Sequence, residues 1–202
     1  VQGGKQAPDF KASGYLKGKF ISTSLSEYLG KWVLITFYPG DFDAVCATEM
    51  SIIAANYATY TKLGAEILSV SSDTTAVHKV WNETELSSIL KGEIPFPMLS
   101  DPSGIIGTAY GVYNRESGME MRGRFIIDPD SIVQAFEVLP ISMGRNILEG
   151  LRQIQGLKLI RDSKNSRVLP ACWNPGDPSL SAGPELIGKT GNSWKLPPGT
   201  QA

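Results

Sequence analysis

The sequence predicts an α/β domain with a central mixed β-sheet flanked by helices, an N-terminal hairpin and an extended C-terminal tail. A near-continuous apolar run at 31–38 is typical of a strand buried on both faces, and a second apolar run follows at 65–71. Apolar residues at helical spacing separate these runs, and strand and helix patterns continue to about residue 160. This order of strands and helices is typical of one layered α/β domain.

Local patterns predict the individual elements. Two short strand patterns within 9–22 flank Lys17-Gly18, which indicates a hairpin. Leu63-Gly64 ends the first helical pattern before the strand at 65–71. The other expected elements are helices at about 46–62, 72–81 and 145–160 and strands at about 121–128 and 132–138.

The composition of the chain changes near residue 167. Residues 1–166 carry the periodic patterns, whereas 167–202 are rich in Pro, Gly and Ser with scattered apolar residues. Such a segment can dock on a surface, including that of a neighbouring subunit, but cannot form a core alone. We therefore predict a folded domain at 1–166 and a tail at 167–202 that carries the second cysteine.

Charge and composition exclude several classes of function. The 19 basic and 20 acidic residues give a net charge of -1 without a Lys/Arg run, so neither nucleic acid nor a membrane surface is an expected partner. Residues 1–10 lack the features of a signal peptide, and no apolar stretch reaches the ~18 residues of a membrane span, so we expect a cytoplasmic protein. Two cysteines and one histidine are too few for a typical zinc site, and no metal is expected.

Cys46 lies just after the first buried strand pattern, where a helix is expected to begin. Unpaired N–H groups and the helix dipole favour a thiolate at this position. Arg122, on a strand that could lie beside the helix, is the candidate cation. The alternative is a cysteine that packs as a small apolar residue. The polar, turn-rich approach at 39–43 favours the reactive interpretation.

The segment FYPGDFDAVCATE at 37–49 resembles the active-site loop of the peroxiredoxins, which in a typical two-cysteine member reads close to FYPxDFTFVCPTE. The resemblance covers nearly the whole chain. Further similar segments are SVSSDTTAVHKVW (69–81), FPMLSDPSG (96–104), MRGRFIID (121–128), GRNILEGLR (144–152) and PELIGK (184–189). The resemblance to the peroxiredoxins implies a thioredoxin-like fold and dimers that often assemble into decameric rings.

The resemblance assigns roles to matching positions. Cys46 would be the peroxidatic cysteine, which attacks the peroxide O–O bond and becomes a sulfenic acid. Arg122 would hold the thiolate and polarise the peroxide, and Pro39 would shield the thiolate from water. Three further positions match a supporting ion pair and a tryptophan beside the site, although core packing or a surface pair is an equal alternative for them: Glu49, Arg145 and Trp81.

The implied function is thiol-dependent reduction of hydrogen peroxide and organic hydroperoxides, with no metal or organic cofactor. Electrons would come from a thioredoxin-like or flavoprotein disulfide reductase. The alternative is a peroxiredoxin-fold redox sensor or oligomeric holdase with weak peroxidase activity. A disulfide oxidoreductase is disfavoured because Cys46 is not part of a Cys-x-x-Cys pair.

Asp43 departs from the family pattern, because it stands where a Thr or Ser hydroxyl binds both thiolate and peroxide. At about 5 Å and an effective dielectric constant of about 20, an ionised Asp43 would repel the Cys46 thiolate by roughly 3 kcal/mol. This repulsion would raise the pKa of Cys46 by about two pH units. This repulsion is comparable with the attraction from Arg122. A protonated Asp43 that donates a hydrogen bond would avoid the conflict, as would a side chain that turns away to pair with a cation.

The sequence departs from the family pattern in two further places. Ala47 replaces the usual proline after the cysteine, which we expect to loosen the first helical turn slightly. In VLPACW at 168–173, leucine occupies the usual resolving position and Cys172 follows three residues later, about 10 Å away in an extended chain. We favour Cys172 as the resolving cysteine of the opposite subunit. The alternative is a buried thiol beside Trp173.

Overall fold

The computed structural model of the chain describes residues 1–196, so the last six residues of the predicted tail, 197–202, lie outside the described residues. Its strands are β1 (Lys11–Leu16), β2 (Lys19–Ser24), β3 (Trp32–Phe37), β4 (Ala65–Ser71), β5 (Met98–Ser100), β6 (Tyr113–Asn114), β7 (Met119–Glu120), β8 (Arg122–Ile127), β9 (Val133–Leu139), β10 (Arg167–Val168) and β11 (Leu180–Ser181). Seven of these strands form one mixed sheet in the order β2-β1-β5-β4-β3-β8-β9.

Helices join the strands. The α-helices are α1 (Ala44–Ala55), α2 (Tyr57–Lys62), α3 (Thr75–Trp81), α4 (Ser87–Leu90), α5 (Ile105–Tyr110), α6 (Ile147–Asp162) and α7 (Thr190–Ser193). A π-helical segment, Asn82–Leu86, links α3 to α4, and short 3₁₀ turns occur at Leu25–Tyr28 and Pro184–Leu186. No helix among residues 1–196 combines the length and the apolar character needed to cross a membrane.

The centre of the sheet carries the core. Strand β3 runs parallel to β4 and antiparallel to β8, and all six of its residues are buried, as the apolar run predicted. Phe37 at the end of β3 packs edge-on against Phe125 of β8, at a ring distance of 5.7 Å. Tyr110 packs against both rings, at 5.3 and 5.0 Å. This cluster fixes β3 and β8 side by side, and the loops that follow them inherit that placement.

The hairpin and the central strands are where the sequence predicted them. Lys17 and Gly18 both have positive φ, which is the conformation that a tight two-residue hairpin turn requires. The first helix differs from the prediction of one helix over 46–62. It begins at Ala44 and is interrupted at Asn56, where φ of -100° and ψ of 2° leave helical geometry. The helix at 72–81 also continues further than expected, through the π-helical segment to α4.

The chain divides into two compact units, Val1–Gly150 and a second unit that starts at Leu151. Within the second unit, β10 and β11 form a short hairpin, and Trp173 anchors the segment between them. The Trp173 carbonyl accepts a hydrogen bond of 2.6 Å from Arg152, and its ring lies against Gly156 on α6. The domain boundary that we predicted from composition, at residue 167, stays a prediction.

Candidate active site

Cys46 lies in the first turn of α1 and is completely buried. Asp43 is the N-cap of this helix, and its Oδ1 accepts a hydrogen bond of 2.8 Å from the backbone N–H of Cys46. The N–H of Ala47 donates to the Asp43 carbonyl at 2.9 Å. The expectation that Ala47 loosens the first turn is therefore wrong, because the Ala47 N–H makes a helical hydrogen bond that proline could not make.

Arg122 is the cation that contacts Cys46, as the sequence predicted. It opens strand β8, which is paired with β3, so the guanidinium lies beside the start of α1. Its Nη1 lies 3.3 Å from the Cys46 Sγ and 3.0 Å from Glu49 Oε2, while its Nη2 lies 3.0 Å from Asp43 Oδ1. The Arg122 Nε donates to the carbonyl of Ile141 at 2.7 Å. The guanidinium is fully buried and fixed by these contacts.

Glu49 joins two buried arginines. Its carboxylate accepts hydrogen bonds from the backbone N–H, Nε and Nη2 of Arg145 at 2.6, 2.9 and 2.7 Å, in addition to the bond from Arg122. Burial disfavours the ionised carboxylate, but the hydrogen bonds and charges of Arg145 and Arg122 outweigh burial and lower the pKa of Glu49. Both Glu49 and Arg145 are buried, so the alternative of a surface pair is wrong.

Asp43 is ionised in this arrangement. Burial acts to raise its pKa, but hydrogen bonds from the thiol and backbone of Cys46 and the charge of Arg122 lower the pKa below its ordinary value. These contacts favour the ionised carboxylate over the protonated alternative. The carboxylate does pair with a cation, but it has not turned away from the site, because that cation is Arg122 itself.

Burial opposes ionisation of the Cys46 thiol. Burial raises the pKa of Cys46 to about 12, and the hydrogen bond to Asp43 acts in the same direction. A backbone hydrogen bond from Gly40 and the guanidinium of Arg122 act to lower the pKa without overcoming these effects. Burial and Asp43 thus act against Arg122 on the pKa of Cys46.

Trp81 packs against the loop that precedes Cys46, and Pro39 lies within this loop. Trp81 is completely buried, and its ring centre lies 5.9 Å from that of Tyr38 and 6.2 Å from that of Phe42. Its indole N–H donates to Glu85 at 2.6 Å. Pro39 is buried directly after Tyr38. These contacts show packing of the loop, and a direct role for Trp81 or Pro39 in chemistry stays a prediction.

Sequence analysis missed a buried pair beneath this loop. His78 on α3 is completely buried, and its Nδ1 lies 2.8 Å from Asp41 Oδ2. Asp41 also accepts from the Tyr38 hydroxyl, and its backbone N–H donates to Asp73. A lone histidine in a helical pattern gave no sign of this contact, because the partner comes from a loop 37 residues earlier in the chain.

Cys172 is exposed, so the alternative of a buried thiol beside Trp173 is wrong. It has a φ of 61°, in a turn closed by a hydrogen bond from the Trp173 N–H to the Pro170 carbonyl. Leu169, at the usual resolving position, lies against Gly156 of α6. A cavity of about 290 Å³ borders Cys172 between Trp173 and Trp194. The segment thus packs a leucine where the family has a cysteine and presents its own cysteine on the surface.

Comparisons with known proteins agree with this geometry. The model of the AhpC/TSA family matches residues 3–136. The chain is 54% identical over 196 residues to the selenocysteine-containing peroxiredoxin PrxU of Peptoclostridium acidaminophilum, with 97% of each chain covered. It is 36% identical over 187 residues to the alkyl hydroperoxide reductase C of Amphibacillus xylanus, covering 92% of this chain and 97% of the relative.

Solved structures show the same fold. The reduced 2-Cys peroxiredoxin of Plasmodium vivax superposes with a TM-score of 0.82 at 32% identity, over 89% of this chain and 92% of that one. The AhpC of Enterococcus faecalis superposes with a TM-score of 0.76 at 34% identity, over 83% and 98%. The thioredoxin-like fold that the sequence predicted is confirmed. The chain belongs to the AhpC/TSA family and is a peroxiredoxin, a thiol-dependent peroxidase.

Proposed function

We propose that this peroxiredoxin reduces hydrogen peroxide and organic hydroperoxides at Cys46 and that Cys172 of a partner subunit resolves the oxidised cysteine. The observation that carries the proposal is the contact between Arg122 and Cys46, at 3.3 Å inside a buried site. A fixed guanidinium in such a site stabilises negative charge on sulfur and on the leaving oxygen. The relatives named alkyl hydroperoxide reductase C and 2-Cys peroxiredoxin support the same substrate class.

The chemical step follows from these contacts. The Cys46 sulfur attacks one peroxide oxygen, an S–O bond forms as the O–O bond breaks, and the other oxygen leaves as water or an alcohol after it takes up a proton. The product at Cys46 is a sulfenic acid. Arg122 stabilises the charge as it moves, Glu49 and Arg145 hold Arg122 in place, and Pro39 keeps water from the sulfur.

Asp43 makes the weaker activity of a sensor or holdase the second candidate. Only the thiolate is an effective nucleophile, and the Asp43 carboxylate lies where it favours the thiol. We propose that Asp43 reduces the peroxidase rate without abolishing it, because Arg122 remains in contact with the sulfur.

The accessible thiol of Cys172 supports its role as the resolving cysteine. Attack of this thiol on the Cys46 sulfenic acid forms a disulfide and releases water. A thioredoxin-like or flavoprotein disulfide reductase would then return both cysteines to thiols. Such a cycle requires a reducing compartment, and we therefore propose a cytoplasmic location.

The edge of the sheet supports a homodimer. Strand β9 is the last strand, and beyond Val133 no strand within residues 1–196 pairs with its outer side. Phe136 and Val138 on this edge are 52% and 42% exposed. An exposed apolar edge strand is a template for pairing with a second copy. We propose that two subunits pair through β9, and that a decameric ring of such dimers is the larger assembly.

Reaction with peroxide separates the two candidate functions. We expect stopped-flow mixing of the reduced protein with hydrogen peroxide to oxidise Cys46 faster than a free cysteine at the same pH, because Arg122 stabilises the transition state. Cys46→Ser is the control and should lose the reaction, while Cys172→Ser should keep it. A second-order rate constant no higher than that of free cysteine would favour the sensor or holdase.

Removal of the charge at position 43 should activate Cys46. In Asp43→Thr and Asp43→Asn the helix keeps an N-cap, but the carboxylate no longer opposes ionisation. We expect the pKa of Cys46, followed by the ultraviolet absorbance of the thiolate, to fall by about two pH units, and the rate constant with peroxide at neutral pH to rise by about one to two orders of magnitude. An unchanged or lower rate in both variants would contradict repulsion as the role of Asp43.

Oxidation should link two subunits through Cys172. After treatment with one equivalent of peroxide, electrophoresis without reductant should show a covalent dimer that disappears in Cys172→Ser and in Cys46→Ser. A wild-type sample that remains monomeric under these conditions would argue against Cys172 as the resolving cysteine, while leaving the reaction at Cys46 intact.

A charge on the β9 edge should separate the subunits. We expect Val138→Lys to shift the protein from dimers or larger rings towards monomers in sedimentation velocity, because a lysine on an edge strand disfavours pairing with another strand. Ile89→Lys, at a position on α4 that is 51% exposed, is the matched control. Equal sedimentation of the two variants would place the dimer interface elsewhere.

A further inference from the structure

A buried carboxyl group lies outside the contacts described so far. Glu120 on β7 is completely buried, and neither of its carboxyl oxygens has a hydrogen-bond partner in the structure. Glu120 packs against Gly107 on α5, where the β-carbon of any other residue would overlap the carboxyl oxygens. A buried carboxylate without donors is costly, whereas a protonated carboxyl group is tolerated more easily.

Asp101 is the charged group that acts on Glu120. It is also buried, and its two oxygens accept hydrogen bonds from the backbone N–H groups of Ile105 and Gly107 at 2.9 and 2.8 Å. Asp101 therefore has a donor for each oxygen, whereas Glu120 has none. A proton on Glu120 would then let the two carboxyl groups form a hydrogen bond, which two carboxylates cannot do.

Within the described residues, the neighbouring elements bring no positively charged group to Glu120. Tyr110 of α5 donates its hydroxyl proton to the Pro8 carbonyl, and Tyr113 of β6 is the strand partner of Glu120. Arg115 and Glu116, in the turn of the β6–β7 hairpin, are exposed. The buried arginines of β8 bind elsewhere: Arg122 at Cys46, Asp43 and Glu49, and Arg124 at Glu137 and Asn146.

A short path of backbone hydrogen bonds joins this carboxyl group to the active site. The N–H of Val112 donates to the Gly107 carbonyl, and the N–H of Met121 donates to the Val112 carbonyl, both at 2.8 Å. Met121 directly precedes Arg122. Any displacement of Glu120 away from α5 therefore pulls on the start of β8, where the Arg122 guanidinium contacts Cys46.

We propose that Glu120 and Asp101 share one proton in the folded protein, and that loss of this proton in alkaline solution loosens the α5–β7 contact and displaces Arg122. Glu120 is then a positioning residue that makes the site sensitive to pH. The part of the proposal that concerns Arg122 rests on the proposed role of this arginine in the peroxidase reaction, whereas the shared proton does not.

Burial, followed by the effect of the neighbouring Asp101 carboxyl group, raises the pKa of Glu120 to about 8. The ordinary value in an unfolded chain is about 4.3. Between these two values the folded protein binds more protons than the unfolded one, so stability falls as pH rises through this window and levels off above about pH 8.

Urea unfolding between pH 5 and 9 tests the shared proton by comparing the wild type with Glu120→Gln, which keeps the shape and is neutral. We expect the unfolding equilibrium constant of the wild type to rise relative to that of Glu120→Gln by up to about tenfold per pH unit, with the increase ending near pH 8. Glu116→Gln in the exposed turn is the control and should follow the wild type. Parallel profiles for the wild type and Glu120→Gln would overturn the proposal.

A measurement on the wild type keeps the test independent of how the variant folds. In protein labelled with ¹³C at glutamate side-chain carboxyl groups, one resonance should titrate near pH 8, and titration of every glutamate below about pH 6 would overturn the shared proton. For the link to Arg122, Cys46 oxidation by peroxide above pH 8 should slow in the wild type relative to Glu120→Gln. Identical rate profiles would overturn that link, and absence of peroxide reactivity in both proteins would instead count against the proposed function.

Discussion

The buried carboxylate of Glu49 is the contact on which the active site depends. Four hydrogen bonds from Arg122 and Arg145 converge on it, and they connect α1, β8 and the segment before α6. Two guanidinium groups taken out of water would be strongly destabilising without this shared anion. With it, Arg122 has a fixed direction, and one edge of its guanidinium remains available to Cys46. The orientation of Arg122 towards Cys46 is thus a result of charge compensation among buried groups.

Asp43 shows how one side chain can serve the fold and oppose the chemistry. As the N-cap it satisfies an N–H group at the start of α1, and it pairs with Arg122. The same negative charge lies next to the sulfur and takes up part of the positive charge that would otherwise stabilise a thiolate. A Thr or Ser hydroxyl could cap the helix without adding a negative charge. The residue at position 43 therefore influences how far Arg122 lowers the pKa of Cys46.

Much of the fold could be predicted from the sequence, because the relevant signals are local. The apolar run of β3, the Lys17-Gly18 turn and the stop at Gly64 each reflect a short-range preference that the structure keeps. The placement of Arg122 beside Cys46 followed from family resemblance and strand order. The start of α1 was misplaced by two residues because capping by Asp43 was not considered.

Contacts between distant segments could not be predicted in this way. The pairing of His78 with Asp41 and the approach of Glu120 to Asp101 depend on which loops and strands the fold brings together. Neither pair has a recognisable spacing in sequence. The ionisation of Asp43 was also open, because a carboxylate near both a thiol and a guanidinium can hold or lose its proton according to geometry. The hydrogen bonds from Arg122 and from the Cys46 N–H to Asp43 favour the ionised state, and these contacts are visible only in the folded structure.

The anchoring of Trp173 has a consequence for the redox balance of the protein. Cys172 is exposed, but the next residue is 3% exposed and its indole N–H donates to the Asp177 carbonyl. A disulfide that moves Cys172 must strain or release this anchor. The distortion of the tail then offsets part of the stability of the S–S bond. Strained disulfides are stronger oxidants than relaxed ones. If Cys172 resolves Cys46 as proposed, a tail that is well packed in the reduced state would make that disulfide easier to reduce.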